Sequence, residues 1–441
     1  MEMKSRLGGL RPGMVEGSAR LAAILLVVGA AASPAWGDGI VRDSIGPISS
    51  GRGGTNLAFG DNLSLINDNP AGLTRLGGIH AELNLDFLTT DIEYQDPQND
   101  VEAKDQWFVL PSAALSWRVK EAPYSLTLGL GMFVPAGYGA EYRMVHPVYG
   151  SQKYISEAGL YKFLVSASTE LGPRLSLGVG GGLAYQTLDV DSPYTFQTGA
   201  FMGVPGLIDL DVDGFGFAWN IGLQYRATDR WTIGLAYIAE TRTDLEGDFD
   251  VDVTGVVPVP DPTATYRASA VGTFPRSVGV GTAYRFDAGS LSIDGLWYDW
   301  SSAFDDFEFS LSHGDNPTFD VLAGTTRPSD TFPLKWRDSF TIRVGGEYYV
   351  TPEATVRAGY IYIQNPVPDG TLTPLIPAIL EHSFTVGYGH RFGPARVDLS
   401  YQYSFSRTQH VNTSDVIGGD FDQSSLRAVA HWILLGVHVD F

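Results

Sequence analysis

The feature that most constrains this sequence is an alternation of apolar and polar residues with period two. In the segment 397–405, each odd-numbered residue is apolar or aromatic, and the residues between them are Asp, Ser and Gln. The same alternation recurs in 217–226 and 340–349. Residues two apart share one face of a strand, so the pattern predicts strands with one apolar face. A soluble β-sandwich would alternate in the same way, so this pattern alone does not distinguish it from a membrane barrel.

The connections between the predicted strands separate these two classes. Strands are predicted at 79–91, 107–119, 124–134, 154–171, 174–190, 213–227, 230–247, 275–286, 290–302, 337–350, 353–364, 381–392, 395–407 and 429–441. Short turns, such as Glu121–Pro123 and Gly393–Pro394, alternate with long loops rich in Asp, Pro and Gly. Outer-membrane barrels have an even number of strands, tight periplasmic turns and long external loops. We therefore predict an all-β fold, a 14-stranded antiparallel transmembrane β-barrel over residues 79–441.

Composition agrees with a barrel and excludes other classes. The chain has 441 residues, 44% of them hydrophobic, but no apolar run of 18 residues, which excludes a helical membrane protein. In a barrel only every second strand residue faces lipid, so the apolar content never forms a long run. The formal net charge of -21 makes a nucleic-acid partner unfavourable, because phosphate would be repelled.

The N-terminal segment predicts export. Four cations precede the apolar stretch Leu21–Ala32, and Ala35 and Gly37 occupy the -3 and -1 positions of a cleavage site, so residues 1–37 are predicted to be a secretory signal peptide. The alternative, a membrane anchor, needs about 20 apolar residues to span the bilayer. Removing four cations and two acids changes the net charge from -21 to -23. The absence of cysteine agrees with passage through an oxidising compartment.

Residues 38–78 are predicted to fill the barrel. Fourteen strands would enclose a substantial opening, and this segment contains glycine-rich and short apolar pieces without strand-length alternation. We predict an N-terminal plug, or hatch, inside the lumen. A disordered periplasmic tail is the alternative, but its apolar side chains favour burial.

One plug motif, Asn69, Pro70, Ala71 and Gly72, carries a specific resemblance. With the upstream Gly51–Thr55, it resembles the hatch of the FadL/TodX family of outer-membrane transporters for long-chain fatty acids and aromatic hydrocarbons. Further segments that resemble the family are 128–137, 336–339, 345–348, 357–360 and 366–377. The resemblance implies a passive channel in the bacterial outer membrane that carries hydrophobic molecules.

The resemblance also implies a route through the protein. In the family, substrate passes from external loops to an apolar lumenal site and leaves sideways through a kink in the third strand. The residues here that match that strand are Gly129, Gly131, Phe133, Pro135 and Gly137. Proline cannot donate to the strand ladder and glycine tolerates a bulge, which suits a kink. Relief of crowding is the alternative role for these glycines. Ala136 departs from the family, which has a bulky residue there.

Candidate substrate contacts are apolar residues and two cations. The apolar candidates are Leu57, Phe59, Phe201, Leu207, Leu375 and Ile376. Packing of the loops into a cap is an alternative role for those in loops. Arg143 and Lys335 are candidates for binding a carboxylate, which a fatty acid has and a hydrocarbon lacks.

Two other functions remain open at this stage, a general porin for polar solutes and an outer-membrane lipid hydrolase. The hydrolase needs a nucleophile beside a histidine, and His431 and His438 point to opposite faces of the last strand. We predict no enzymatic activity and no cofactor. We also predict no metal, because the eight histidines show no metal-binding spacing. The expected partners are the hydrophobic substrate, outer-membrane lipid and lipopolysaccharide, and the barrel assembly machinery, which recognises a C-terminal aromatic such as Phe441. A monomer is expected.

Overall fold

The computed structural model of the protein describes residues 40–119 and 125–441. The predicted signal peptide and the predicted turn at Glu121–Pro123 lie outside these residues. The first long strand begins at Ile79. The division of the chain into signal peptide, plug and barrel domains stays a prediction.

Strands dominate the described chain. They are β1 Ile79–Gln95, β2 Asp100–Glu102, β3 Trp107–Val119, β4 Leu126–His146, β5 Gly150–Glu170, β6 Leu175–Thr195, β7 Pro205–Arg226, β8 Trp231–Ile238, β9 Thr241–Asp252, β10 Thr263–Phe274, β11 Ser277–Phe286, β12 Gly289–Tyr298, β13 Asp306–Ser312, β14 Ser329–Pro333, β15 Ser339–Tyr349, β16 Ala354–Ile363, β17 His382–Phe392, β18 Ala395–Phe405, β19 Gln409–Val411 and β20 Ser424–Asp440. Short α-helices span Pro47–Gly51, Leu65–Asp68, Trp300–Ala303 and Pro317–Ala323, and single 3₁₀ turns span Pro70–Arg75, Gly199–Phe201 and Asp369–Thr371. Within the described residues, no helix has the length and hydrophobicity to cross a membrane.

Antiparallel pairing closes these strands into a barrel. Strand β1 pairs with β3 on one side and with β20 on the other, so the first and last strands meet. Four wall strands are each divided into two segments (β8 with β9, β10 with β11, β12 with β13, β14 with β15), and β2 and β19 are short additions. The described segments therefore form 14 wall strands, and the predicted fold class is confirmed.

The wall has an apolar outer face. On β7, Phe217 and Trp219 are exposed, whereas Ala218 and Asn220, which alternate with them, are buried toward the lumen. Such exposed aromatic and aliphatic side chains recur along the wall, which is the inverse of a soluble protein's surface. At one level of β5, β6 and β7, the rings of Tyr161, Tyr185 and Phe215 lie side by side, with centroids 6.1 and 4.9 Å apart. These rings correspond to the aromatic girdle at the border of a lipid-facing belt.

Beyond this girdle the strands continue further than the sequence pattern predicted. Strand β7 begins at Pro205 rather than at residue 213, and β9 and β10 form a hairpin where most of 248–274 was expected to be loop. Their outer faces carry acids: Asp211 lies opposite Asp189 on β6 and opposite Asp248 on β9. The expectation failed because alternating Asp residues were taken as loop formers, although they keep the period of a strand. Much of the negative charge therefore lies on strands outside the apolar belt.

Candidate functional site

Residues 40–78 lie within the barrel and are held there by the Asn69–Gly72 motif. The Asn69 side chain is fully buried, and its Nδ2 donates to the carbonyl oxygens of Leu57 at 2.7 Å and of Leu223, on β7, at 3.3 Å. Its Oδ1 accepts from the Ala71 amide at 3.3 Å, which caps the turn Pro70–Arg75. The Pro70 carbonyl accepts from Ser168 Oγ on β5 at 2.6 Å. The motif thus joins the plug to the wall.

The wall strands that face this motif have glycine at the positions of contact, which leaves space for it. A Cβ added at Gly222 would lie 1.9 Å from Asn69 Oδ1, and one added at Gly178 would lie 2.3 Å from the Ala71 amide nitrogen. Both distances are far below van der Waals contact, so only glycine allows the plug to approach β6 and β7 this closely. The glycine run 178–182, which the sequence analysis did not connect to the plug, includes part of this seat.

A buried ion pair organises the centre of the plug. The guanidinium of Arg52 donates to both carboxylate oxygens of Asp61, at 2.6 and 3.0 Å, and lies 3.4 Å from the centre of the Phe59 ring. Burial is the largest single influence and would raise the pKa of Asp61. The charge and hydrogen bond of Arg52, with the charges of Arg396 and Arg285, together outweigh burial and hold that pKa well below its usual range. Phe59 therefore packs inside the plug beneath Arg52. Leu57, in contrast, lines a cavity.

Strand β4 is irregular at the position where the family resemblance implies a kink. Its register to β5 shifts between Phe133, opposite Lys162, and Ala136, opposite Leu160, so β4 has one extra residue there. Buried positions are odd-numbered before this bulge and even-numbered from Ala136 to His146. The pairing of β3 with β4 ends at Ala113–Met132. Beyond that pair, toward the C-terminal end of β4, the hydrogen-bonded pairing of β3 with β4 is interrupted.

The five predicted residues of this strand differ in their surroundings. A Cβ at Gly129 would lie 2.9 Å from Ile66 of the plug, and one at Gly131 would lie 2.5 Å from the Phe133 ring. These two glycines provide space for the plug and for Phe133. Pro135 lies within the bulge, and Gly137 follows it.

The start of the described chain lies against the interruption. The Arg42 amide donates to the Pro135 carbonyl at 3.0 Å, and the Gly137 amide donates to the Ile40 carbonyl at 3.1 Å, so Val41 and Ala136 form an isolated antiparallel bridge. The sequence analysis did not predict this contact, because a single bridge has no recognisable alternation. The segment Ile40–Arg42 thus pairs with the edge of β4 that β3 leaves free.

Three cavities meet at this segment. The largest, about 840 Å³, is lined by Ile40 together with residues of β5–β7, β9, β10, β13 and the loop around 373–376. A second, of about 70 Å³, contains Leu57, Pro135 and Lys162 in its wall, and a third, of about 100 Å³, is bounded by Phe108 of β3 and Gly139 of β4. The first lies in the range of about 300–1,000 Å³ typical of small-molecule sites. Residues 41–43 line the second and third cavities, and Ile40 lines the first and the third.

The largest cavity also reaches a second interruption of the wall. Strand β10 pairs with β13 only over Arg267–Ala270, and both Val271, exposed on the outer face, and Phe274, buried, line the cavity. A molecule in this cavity is therefore bounded by two places where the wall hydrogen bonding is incomplete.

Lys162 is a buried cation beside the β4 bulge. It is 6% exposed, faces the lumen beside Phe133 and lines the cavity of about 70 Å³. Among residues 40–119 and 125–441, no carboxylate lies within ion-pair distance of its Nζ. Asp43 and Asp68 line the same cavity, and burial raises the pKa of each. Sequence reasoning missed Lys162 because its importance depends on the register of β4 and β5.

The remaining candidate contacts lie in different places. Leu375 and Ile376 line the largest cavity, whereas Phe201 packs against Phe319, with ring centroids 5.9 Å apart. Leu207 is half-buried on β7, beside the inward-facing Ile208 that does line the cavity.

The two predicted cations do not meet at the lumen. Arg143 is on the exposed outer face of β4. The Lys335 Nζ is bound to Asp305 at 3.1 Å and to Asp306 at 2.8 Å, so its charge already has partners. Their role in binding a carboxylate stays a prediction that these positions do not favour.

A closed 14-strand barrel with an apolar belt and a lumenal plug defines a plugged outer-membrane channel. The family model described as outer membrane protein transport protein (OMPP1/FadL/TodX) matches residues 30–441. The chain belongs to this family, and it is an outer-membrane transport protein.

Individual relatives are distant but match over most of the chain. The long-chain fatty acid transport protein of Salmonella typhi is 21% identical over 418 residues, which cover 88% of this chain and 92% of the relative. The crystal structure of a Pseudomonas aeruginosa FadL homologue matches with a TM-score of 0.74 at 20% identity, over 92% of this chain and 100% of the other. That of the Pseudomonas putida toluene transporter TodX matches with a TM-score of 0.74 at 19% identity, over 91% and 99%. These likenesses support the fold.

Proposed function

We propose that this protein takes up a hydrophobic molecule from outside the cell, holds it in the cavity of about 840 Å³ and releases it sideways between β3 and β4. The observation that carries the proposal is the meeting of this cavity, the β4 bulge and the segment Ile40–Arg42. Burying each methylene contributes about 0.8 kcal/mol, so an apolar solute gains from an apolar lumen and from a lipid exit. In this proposal transport is passive, which means that the concentration gradient of the substrate alone drives it.

The segment Ile40–Arg42 acts as the gate of this route. Its two main-chain hydrogen bonds to β4 are individually worth about 1 kcal/mol. Such a segment can leave the edge of β4 at modest cost, which would open the gap between β3 and β4 next to the cavity that Phe108 lines. The plug core, in contrast, stays anchored through Asn69 and the buried Arg52–Asp61 pair.

The substrate class follows from the polar group at the exit. A long-chain fatty acid, which the name of the Salmonella typhi relative specifies, has a carboxylate that Lys162 can bind, and its tail would occupy the larger cavity. A hydrocarbon such as toluene, the substrate in the name of the Pseudomonas putida relative, would fill the cavity without using Lys162. We propose a fatty acid or similar amphiphile, because a buried cation is otherwise unfavourable.

The wider environment belongs to the same proposal. We expect a monomer whose apolar belt faces lipid and whose acidic upper strands face lipopolysaccharide, with the barrel assembly machinery inserting the chain. No catalytic role is proposed. In the described chain, the hydrogen-bond partners of the His438 ring are Glu82, His80 and Asp440, and no serine is among them.

The experiment that tests the route is a disulfide lock. The chain has no cysteine, so engineered pairs form without competition. Val41 and Ala136 form a non-hydrogen-bonded antiparallel pair, the type with Cα atoms about 4.5 Å apart, which suits a disulfide. We expect Val41→Cys with Ala136→Cys to abolish uptake of radiolabelled oleate into cells under oxidising conditions, and a reductant to restore it.

The matched control is Ala113→Cys with Met132→Cys. This pair lies in the last regular β3–β4 contact, where the wall is already closed, so its disulfide should leave uptake unchanged. Full uptake with the Val41–Ala136 lock closed would contradict exit past this segment and would favour the interruption between β10 and β13. Free passage of sugars through the wild-type barrel would instead indicate a porin.

A further inference from the structure

Three side chains converge at the seam where the first and last strands close the barrel. His80 on β1 lies opposite Asp440 on β20, and His438 lies two residues before Asp440. His80 Nδ1 is 2.7 Å from Asp440 Oδ1, His438 Nε2 is 2.9 Å from the same oxygen, and the two nitrogens are 3.2 Å apart. Both imidazoles are buried, whereas the Asp440 side chain is 33% exposed.

The outer nitrogens of both rings face hydrogen-bond acceptors. His80 Nε2 lies 2.6 Å from the Gly77 carbonyl, which can only accept, so Nε2 is the donor of this hydrogen bond. His438 Nδ1 lies 3.2 Å from Glu82 Oε2, and the Glu82 carboxylate also accepts from the Asn84 amide at 2.9 Å and from the Leu63 amide at 2.9 Å. Because the Glu82 carboxylate acts as an acceptor in these bonds, His438 Nδ1 is the donor in its contact with Glu82.

This arrangement turns three lone pairs toward one point. In the tautomer that places each proton on the outer nitrogen, His80 Nδ1 and His438 Nε2 turn lone pairs toward each other and toward Asp440 Oδ1. The second Asp440 oxygen accepts from Arg391 Nη1 at 2.7 Å, which leaves Oδ1 for the convergence point. Such a set is repulsive unless a cation lies within it.

We propose that His80, His438 and Asp440 bind one divalent transition-metal ion of the zinc type. Two imidazoles and a carboxylate are a donor set that zinc accepts, and histidine ligands bound to metal almost always donate their other N–H to a carboxylate or carbonyl, as both do here. Ligands of a tetrahedral zinc with bonds of about 2.0–2.1 Å lie about 3.3 Å apart, so the three atoms need to separate only slightly. The exposed side of Asp440 leaves the fourth position to water.

The ion would fix the seam and the plug together. It joins β1 to β20 at one end of their shared ladder. Both groups that orient the imidazoles are tied to the plug. Gly77 lies two residues before β1, at the end of the plug segment, and Glu82 of β1 accepts from the Leu63 amide of the plug. Metal binding therefore stabilises barrel closure and the plug attachment in one step, independently of the transport route.

The test uses the full barrel in detergent, purified without a polyhistidine tag and stripped with EDTA. Titration with ZnSO₄ by calorimetry at pH 7.5 should show one equivalent bound by wild type. His80→Gln and His438→Gln should each weaken binding at least tenfold. The matched control is His431→Gln, on the same strand seven residues away and facing outward, which should keep the wild-type affinity.

A second readout does not depend on affinity. Zinc should raise the temperature at which the wild-type barrel loses its folded mobility in SDS gels, and should not raise it for His438→Gln. Asp440→Asn, which keeps the side-chain shape, covers the case in which a histidine variant fails to fold. Wild type that binds no zinc above the level of His438→Gln, or that gains no thermal stability from it, would overturn the proposal and leave a shared proton at the site.

Discussion

The attachment of the plug through Asn69 gives a prediction whose size can be worked from the structure. Replacing Asn69 with Ala removes the bonds to the Leu57 and Leu223 carbonyls and the cap to the Ala71 amide. Two hydrogen bonds at about 1 kcal/mol each and a long cap at about 0.5 kcal/mol give ~2.5 kcal/mol. The Leu57 carbonyl keeps a bond from Gln224 Nε2 at 3.0 Å, so no large penalty for an unpaired group is added.

This loss should appear in the local opening of the plug. Since 1.4 kcal/mol corresponds to a factor of ten, Asn69→Ala should raise the opening equilibrium about 60-fold. Hydrogen exchange measured by mass spectrometry on peptides from 63–76 reports this equilibrium directly. The matched control is Asn67→Ala. Within the described residues, the Asn67 side chain donates one hydrogen bond, to the neighbouring Asp68 carboxylate at 2.9 Å, so this variant should change exchange by less than about fivefold.

Equal exchange in the two variants would refute the anchoring role of Asn69. The anchoring role would also be refuted if the plug peptides of the wild-type protein exchanged as fast as an unfolded chain, because the plug would then not be attached to the wall. Barrel peptides serve as the internal reference, since strands β16–β18 do not contact Asn69 and should keep their protection.

Three further predictions concern the plug seat, its ion pair and the exit. Gly222→Ala, which would place a Cβ 1.9 Å from Asn69 Oδ1, should loosen the same plug peptides without changing assembly, whereas Gly295→Ala, where an added Cβ meets open space, should not. The Asp61 pKa is lowered in the folded state, so the ion pair with Arg52 stabilises the plug fully above the unfolded pKa of about 3.9, and this stabilisation is lost as the pH falls below that value. The difference in plug protection between wild type and Asp61→Asn should therefore decrease in acid. A difference that does not change with pH would contradict the role of the pair. Lys162→Met should raise the half-saturating oleate concentration for uptake about tenfold and leave toluene uptake unchanged, and an equal effect on both would exclude carboxylate binding at Lys162.

Most of the fold could be predicted from the local pattern of the sequence. Strand alternation and tight turns such as Gly393–Pro394 are properties of neighbouring residues, so the sequence predicts strand number, order and inward or outward face. The exceptions are instructive. Alternating Asp residues at 209–213 belong to strand β7, and the apolar Leu207 on the same strand was assigned to a loop. In both cases composition was given more weight than period.

The candidate site was predicted less completely. The resemblance led to the Asn69 motif and to the strand around Pro135, but not to the segment Ile40–Arg42 that pairs with it. The predicted cations Arg143 and Lys335 lie on exposed surfaces, and the buried Lys162 was missed. Arg143 faces outward because a single-residue bulge reverses the faces of the later positions in β4.

The sequence by itself determined an exported chain that buries polar residues inside a wall and shows apolar ones to lipid, because a period of two is encoded within each strand. Tertiary structure decided which distant residues meet. His80 and His438, 358 residues apart, come within 3.2 Å only because the last strand closes on the first. The contact of Ile40–Arg42 with β4, the cavities and this cluster depend on closure and register, and no local pattern specifies either one.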